Sequence, residues 1–225
     1  HSAVSFLLSL MELVAGGYSH EAVMRLVKSG VMDHERKDIE LLENYVTQYR
    51  IRGAAWKSPF TKGVGTYSED ELSRMEAIRE SIIGTVETAR SSIGSRNRAE
   101  AKIRGLYDFL DGEFGITERI ETLMQRQKDM GLSEAAAETA QSWNVICRIM
   151  DQIVDTVGEE RISNRELLTL MTAGFEEVEI GLVPVSSDCV IIGTLQRTRF
   201  SRIRAMLVVG ANEGVLPMGQ EDQGL

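Results

Sequence analysis

The residues best suited to chemistry lie near the C-terminal end of the chain. Residues 193–204 hold four arginines, Arg197, Arg199, Arg202 and Arg204, together with the hydroxyl of Thr194 and no acidic side chain. Arginines and Thr194 in such a loop could contact phosphate oxygens, with Phe200 available to stack on a base. The loop follows an apolar, β-branched run at residues 189–193 and precedes a second one at residues 205–209. A basic loop at the carboxyl end of a strand is where open α/β sheets place their ligands. On spacing alone, a solvated basic turn accounts for the same pattern.

Other chemistries find little support. Cys147 and Cys189 stand far apart in sequence, outside any CxxC or Cys/His cluster, so the chain has neither a disulfide framework nor a four-cysteine metal site. Two buried, reduced thiols are expected instead. His1, His20 and His34 share no ligand spacing, and the latter two read as exposed first-turn or loop residues. No GxxxxGK[ST] phosphate loop is present, since Lys62-Gly63-Val64-Gly65 has the wrong order. Carboxylate pairs such as Glu69/Asp70 and Glu159/Glu160 read as solvated groups at helix ends. With every histidine in the first 34 residues, no Ser/His/Asp or Cys/His set assembles.

The elements that must position the arginine loop are mostly helical. Val4, Leu7, Leu8, Met11 and Val14 recur at helical steps, which predicts an amphipathic helix ended by Gly16-Gly17. Ser19 caps a second helix through Val27, and residues 33–49 form a third. Between Arg50 and Tyr67 the period breaks at Gly53, Pro59, Gly63 and Gly65, a long loop that reads as a linker. Ser68 and Glu71 form a capping box that opens a long helix toward Ile93. Residues 95–113, 117–130 and 133–157 supply three more helices, and Ser163-Asn164-Arg165-Glu166 starts another that runs to about Gly174. Met124, Met130, Met150 and Met171 read as core filler at helical spacing. The two apolar runs at 189–193 and 205–209 predict strands buried on both faces of a mostly parallel sheet, whose partners lie elsewhere. The expected fold class is therefore mainly α with a small α/β part.

The 225 residues carry 25 Lys+Arg against 34 Asp+Glu, a net charge of −9. With 43% hydrophobic and 26% charged residues the chain suits a folded globular protein. The acidity is uneven: residues 1–189 hold 21 basic and 31 acidic side chains, residues 190–225 four and three. Acidic balance disfavours non-specific coating of DNA, whereas a local basic site survives it. The apolar run at residues 3–14 contains Glu12 and is too short to span a bilayer. The chain, which opens His-Ser and stops just after a strand-like segment, reads as a piece of a longer protein.

Residues 190–217, with Gly193-Thr-Leu, the arginine loop, an apolar run and Gly210-Ala-Asn-Glu-Gly-Val-Leu-Pro217, resemble motif V of UvrD-like superfamily 1 helicases. The form is the diverged one of the B subunits (AddB/RexB) of bacterial AddAB- or RexAB-type helicase–nucleases. Val23-Met-Arg-Leu-Val-Lys-Ser-Gly30, Leu42-Glu-Asn-Tyr45 and Ile51-Arg-Gly-x-x-Trp56 are similar to the same subunit farther upstream. The resemblance implies that residues 1–60 and 182–225 belong to the second RecA-like motor domain and its parallel sheet, with residues 61–181 a helical accessory insertion. It implies DNA contact by Thr194, Gln196, Arg197 and Arg199. Gln196, Arg199 and Arg202 replace the His, Lys and Glu of active motors, and losing that Glu removes an acceptor for the nucleotide. A non-catalytic piece of a cytoplasmic ATP-dependent helicase/exodeoxyribonuclease follows, acting in double-strand break repair and recombination. Its partners would be single-stranded DNA or broken duplex ends and an A subunit, with no membrane. ATP, Mg and an iron–sulfur cluster are implied for the parent complex only, and none for this fragment. The rival expectation is a helical protein–protein interaction module with no nucleic-acid role.

Overall fold

The first helix, α1 (Ser2–Gly16), is apolar on almost every side. Ala3, Val4, Phe6, Leu7, Leu10, Met11, Leu13 and Val14 are all buried, and even Ser9 is enclosed. A helix hydrophobic all round must lie in the centre of its domain and not at its surface. That is where α1 sits, in contact with four other helices along the chain. The sequence predicts an amphipathic helix; the additional burial of Phe6, Leu10 and Leu13 widens its apolar face.

The computed structural model describes residues 2–181 and 205–209. After α1 come α2 (His20–Lys28) and α3 (Arg36–Gln48), then a 3-10 turn at Gly53–Lys57. The long α4 (Glu69–Ile93) leads through β1 (Arg96–Arg98) to α5 (Ala99–Asp108) and a π-helical turn at Phe109–Glu113. Next follow α6 (Ile116–Asp129), α7 (Ser133–Val157), β2 (Arg161–Ser163) and α8 (Asn164–Gly181). Helix α1 packs on α2, α4, α7 and α8, while α6 pairs with α7 and α4 with α5. One continuous core runs from Ala3 to Phe175 and includes the stacked rings of Phe6, Phe114 and Phe109.

Local signals set most of these boundaries. Ser68 accepts from the Glu71 amide, and the Glu71 carboxylate accepts from the Ser68 amide at 2.8 Å, completing the expected capping box of α4. The same reciprocal pair, Ser163 with Glu166, opens α8. Helix α8 continues past Gly174 to Gly181, because that glycine is helical and lies against α7, where a Cβ would come within 2.9 Å of Ile149 Cγ2.

The small β part of the described residues is an antiparallel pair, with Arg96 opposite Ser163 and Arg98 opposite Arg161. Residues 96–98, expected to open a helix, are thus a strand. The ladder continues beyond the pair, where the Ala99 amide donates to Glu160 O at 2.8 Å and that of Glu100 to Gly158 O at 3.0 Å. Beside this clip the ammonium of Lys102 is fully buried and donates to Gly94 O, Ser95 O and Asn164 Oδ1. Its three protons meet three neutral acceptors, and burial lowers its pKa. The arrangement ties the end of α4 to the start of α8.

The chain divides into two compact units, His1–Val183 and Pro184–Leu225. In the second, residues 205–209 were expected as a buried strand. They have no regular secondary structure, and Leu207 and Val209 are 91% and 84% exposed. A strand needs a ladder partner and a covered face, and residues 205–209 have no strand partner among the described residues. The companion run at residues 189–193 lies outside the described residues.

Two glycines test the packing of α4. Gly105 of α5 crosses α4 so closely that a Cβ would fall 2.2 Å from Ser92 O, whereas Gly84 of α4 is exposed with nothing within 4 Å. In urea unfolding, Gly105→Ala should lower stability by about 1–3 kcal/mol. Gly84→Ala should raise it by up to about 1 kcal/mol.

Candidate functional site

Thr194, Gln196, Arg197 and Arg199, the expected DNA contacts, lie outside the described residues. Cys189 does as well. Besides the Lys102 cluster, two polar features built by long-range contacts stand out among the described residues: a charged junction where Tyr18 and Lys57 meet the end of α1 and α4, and the loop over residues 50–67.

The junction is centred on Glu87 of α4. Its carboxylate accepts from Tyr18 Oη at 2.9 Å, from Lys57 Nζ at 2.9 Å and from Arg90 Nη1 at 2.6 Å. Arg90 also donates through Nη2 to Leu13 O at 2.7 Å and through Nε to Val14 O at 3.4 Å. Those carbonyls belong to the last turn of α1, where unpaired acceptors and the negative end of the helix dipole favour a cation. The lysine hydrogen bond, then those of Tyr18 and Arg90, hold the Glu87 carboxyl down at about 2 against the desolvation that opposes them. Burial, followed by the neighbouring carboxylate, drives the Tyr18 hydroxyl well above its ordinary value. An open cleft beside the junction is lined by Gly17, Ser19, His20, Arg52, Lys57 and Arg90.

The loop that follows α3 is no free linker. The Gly53 amide donates to Tyr18 O at 2.9 Å, and Arg79 donates to Trp56 O at 3.0 Å. The Phe60 amide reaches Glu76 Oε2 at 3.0 Å, and Tyr45 Oη bridges both the amide and the carbonyl of Lys62. Trp56 is fully buried, and Phe60, Tyr49 and Tyr67 surround the buried Tyr45 ring. Beneath the loop, the buried Arg79 guanidinium forms a two-pronged pair with Glu76 at 2.8 and 2.6 Å. That contact lowers the pKa of the carboxyl and raises that of the guanidinium.

Residues singled out singly in the sequence fare differently. Cys147 is a free, half-buried thiol whose pKa is raised by burial and by Asp151, the protonated and unreactive condition. His34, expected exposed, is half-buried: its Nε2 is enclosed without a partner and burial lowers its pKa. Beside it, Arg126 of α6 pairs with Asp33, and Arg119 of α6 stacks on Phe114 at 4.4 Å. Met150 and Met171 are core, but Met130 is 65% exposed at the α6–α7 turn. Among the described residues no group of three His, Cys, Asp or Glu side chains could hold a metal, and no helix is long and apolar enough to cross a membrane.

No family model matches the chain. Among curated proteins it aligns with the B subunit of the ATP-dependent helicase/deoxyribonuclease of Clostridium botulinum strain Langeland at 31% identity over 231 residues. That alignment takes in 99% of the chain and 20% of the relative. The B subunit of the same name from Acetivibrio thermocellus is 32% identical over 235 residues, 100% of the chain, and that from Alkaliphilus metalliredigens 30% over 236 residues, 99% of it. The chain is homologous to one segment of helicase/deoxyribonuclease B subunits. It spans about a fifth of the length of these relatives. The resemblance read from the motif near residues 193–217 and the upstream blocks is thereby shown over almost the whole chain.

The charged junction of this segment makes a pH-dependent prediction. The Glu87 carboxyl titrates lower in the folded chain than its ordinary 4.5, so its contribution is complete above about 4.5 and is lost as pH falls toward about 2. Glu87→Gln should therefore cost about 1 kcal/mol at neutral pH, a figure reduced for the partial exposure of the group. The gap between variant and parent in chemical unfolding should close as the pH drops through that window.

Proposed function

We propose that the chain is the part of a helicase/deoxyribonuclease B subunit that contacts DNA and scaffolds its surroundings, without catalytic residues of its own. The observation that carries this reading is the alignment of nearly every residue with proteins of that name. Within the longer protein we assign residues 1–60 and 182–225 to the second RecA-like motor domain and residues 61–181 to its accessory insertion. That division is one of chain order and not of packing, since a single core joins α1 to α4, α7 and α8.

DNA contact falls to Thr194, Gln196, Arg197 and Arg199. Four arginines with no acidic side chain across residues 193–204 provide the cations that phosphate oxygens need. Arg202, standing where active motors carry a carboxylate, leaves this half suited to holding DNA and not to turning over nucleotide. ATP and Mg, and an iron–sulfur cluster, would be held elsewhere in the parent complex. The whole protein would act in the cytoplasm with an A subunit on single strands or broken duplex ends during double-strand break repair and recombination. A protein contact has its own support in Met130 and Leu132, 65% and 50% exposed at the α6–α7 turn, and suits docking of the partner subunit.

Single-stranded DNA binding by the protein that carries this chain, titrated against salt, tests the DNA assignment. Arg197→Ala with Arg199→Ala should lower the slope of log affinity against log salt by about 1.4, roughly 0.7 for each lost phosphate contact. Unchanged affinity and slope would contradict it.

A further inference from the structure

Most cations around the described core are committed to carboxylates. Arg25 pairs with Glu12, Lys28 with Glu43, Arg36 with Glu40, Arg74 with Asp38, Arg79 with Glu76 and Arg104 with Glu100. The loop over residues 50–67 differs. It carries Arg50, Arg52, Lys57 and Lys62 and no acidic residue, in a chain where acids outnumber bases. Arg50, Arg52 and Lys62 are exposed and form no ion pair with any described residue; Lys62 rests 5.9 Å from the centre of the Tyr49 ring. Two α4 carboxylates that reach the loop are already occupied, Glu76 by Arg79 and the Phe60 amide, Glu87 by Lys57, Tyr18 and Arg90.

The loop is also anchored along its length. Its backbone is fastened to Tyr18, Tyr45, Glu76 and Arg79, and its large rings point inward. Arg50 holds φ at 53°, a left-handed conformation uncommon for a non-glycine residue. Gly63, at φ 86°, leaves the Tyr67 ring room that a Cβ would take, at 2.9 Å. The outward surface offers Gly53, Ala54, Ser58, Thr61 and Thr66 between the cations.

We infer that this loop is a second nucleic-acid contact, gripping the phosphate backbone through Arg50, Arg52 and Lys62. The inference rests on the reading of the chain as part of a DNA-handling subunit, but it concerns residues far in sequence from the arginines at 197–204. A docked protein would need a buried aromatic or aliphatic anchor at the centre of its interface. Here Trp56, Phe60 and Tyr45 serve the core, and the exposed Val64 and Pro59 are small and not aromatic; the rest of the outer surface is cations, hydroxyls and small residues, the groups that meet phosphate and sugar. Contacts of this kind set position and affinity without reading sequence.

The test is salt-dependent binding of a single-stranded oligonucleotide and a duplex by the protein that carries this chain. The variant joins Arg50→Asn, which suits a positive φ, with Arg52→Gln and Lys62→Gln. A charge-matched control joins Arg36→Gln, Lys37→Gln and Arg104→Gln, whose cations are already paired with Glu40, Glu35 and Glu100. The loop variant should lower the salt slope by about 2 on the single strand or about 3 on the duplex, and weaken binding on the order of a hundredfold at ~0.1 M salt. The control should leave both about unchanged. An unaltered slope in the loop variant, or an equal loss in the control, overturns the inference. If Arg197→Ala with Arg199→Ala lowers the slope and the loop variant does not, the assignment at 194–199 stands and this one falls; the reverse result separates them the other way. A parent protein that binds neither oligonucleotide removes both.

Discussion

The burial of α1 is the constraint on which the first unit depends. Its fifteen residues would expose a continuous apolar cylinder if they stood alone, and each fully buried Leu or Phe along it contributes about 1.5–3 kcal/mol. Covering that cylinder requires α2 beside it in sequence and α8, far away near the end of the first unit, along with α4 and α7. The path out through α4–α6 and back through α7 is therefore closed by the helix at its start. The secondary fastenings repeat this pattern: Lys102 clips the end of α4 to α8, the short β1–β2 ladder aligns the same two ends, and Arg90 caps α1 from α4.

Charge is distributed to match. Acidic excess covers the helices, where most described cations find carboxylates, and it confers no affinity for a polyanion. Two stretches of the sequence gather four cations each without an acidic residue, residues 50–67 and residues 193–204. In a protein with this net charge, binding to DNA must be local and oriented, because the rest of the surface repels phosphate. At the junction Glu87 neutralises Lys57, so the cations of the first loop that form no ion pair with a described residue are Arg50, Arg52 and Lys62.

Much of this was legible in residue patterns. The capping box at Ser68 and Glu71, the bounds of α7 at Ser133 and Val157, and the glycine stops near Gly16, Gly30 and Gly131 are local signals and appear where expected. What escaped depends on distant partners. The strands β1 and β2 are three residues each and polar, so neither carries a period of two, and only their mutual pairing makes them strands. Gly174 looked like a stop, yet the groove against Ile149 lets α8 pass through it. Residues 50–67 read as a linker because glycine and proline break the helical period, while the hydrogen bonds that anchor the loop come from Tyr18, Tyr45 and α4. Its four cations without an acid are legible in the sequence, and they gain meaning once Glu76 is seen to be engaged by Arg79 and Glu87 by Lys57, which leaves Arg50, Arg52 and Lys62 without an ion pair to any described residue.

Amide hydrogen exchange of the protein that carries this chain, with and without a duplex bearing a single-stranded tail, tests the central claim most directly. A helical scaffold that presents DNA-contacting loops predicts slowed exchange at residues 50–66 and 193–204 on adding DNA, with α6 and α7 unchanged. Protection confined to α6 and α7, or no protection anywhere in the chain while the protein is DNA-bound, would contradict it.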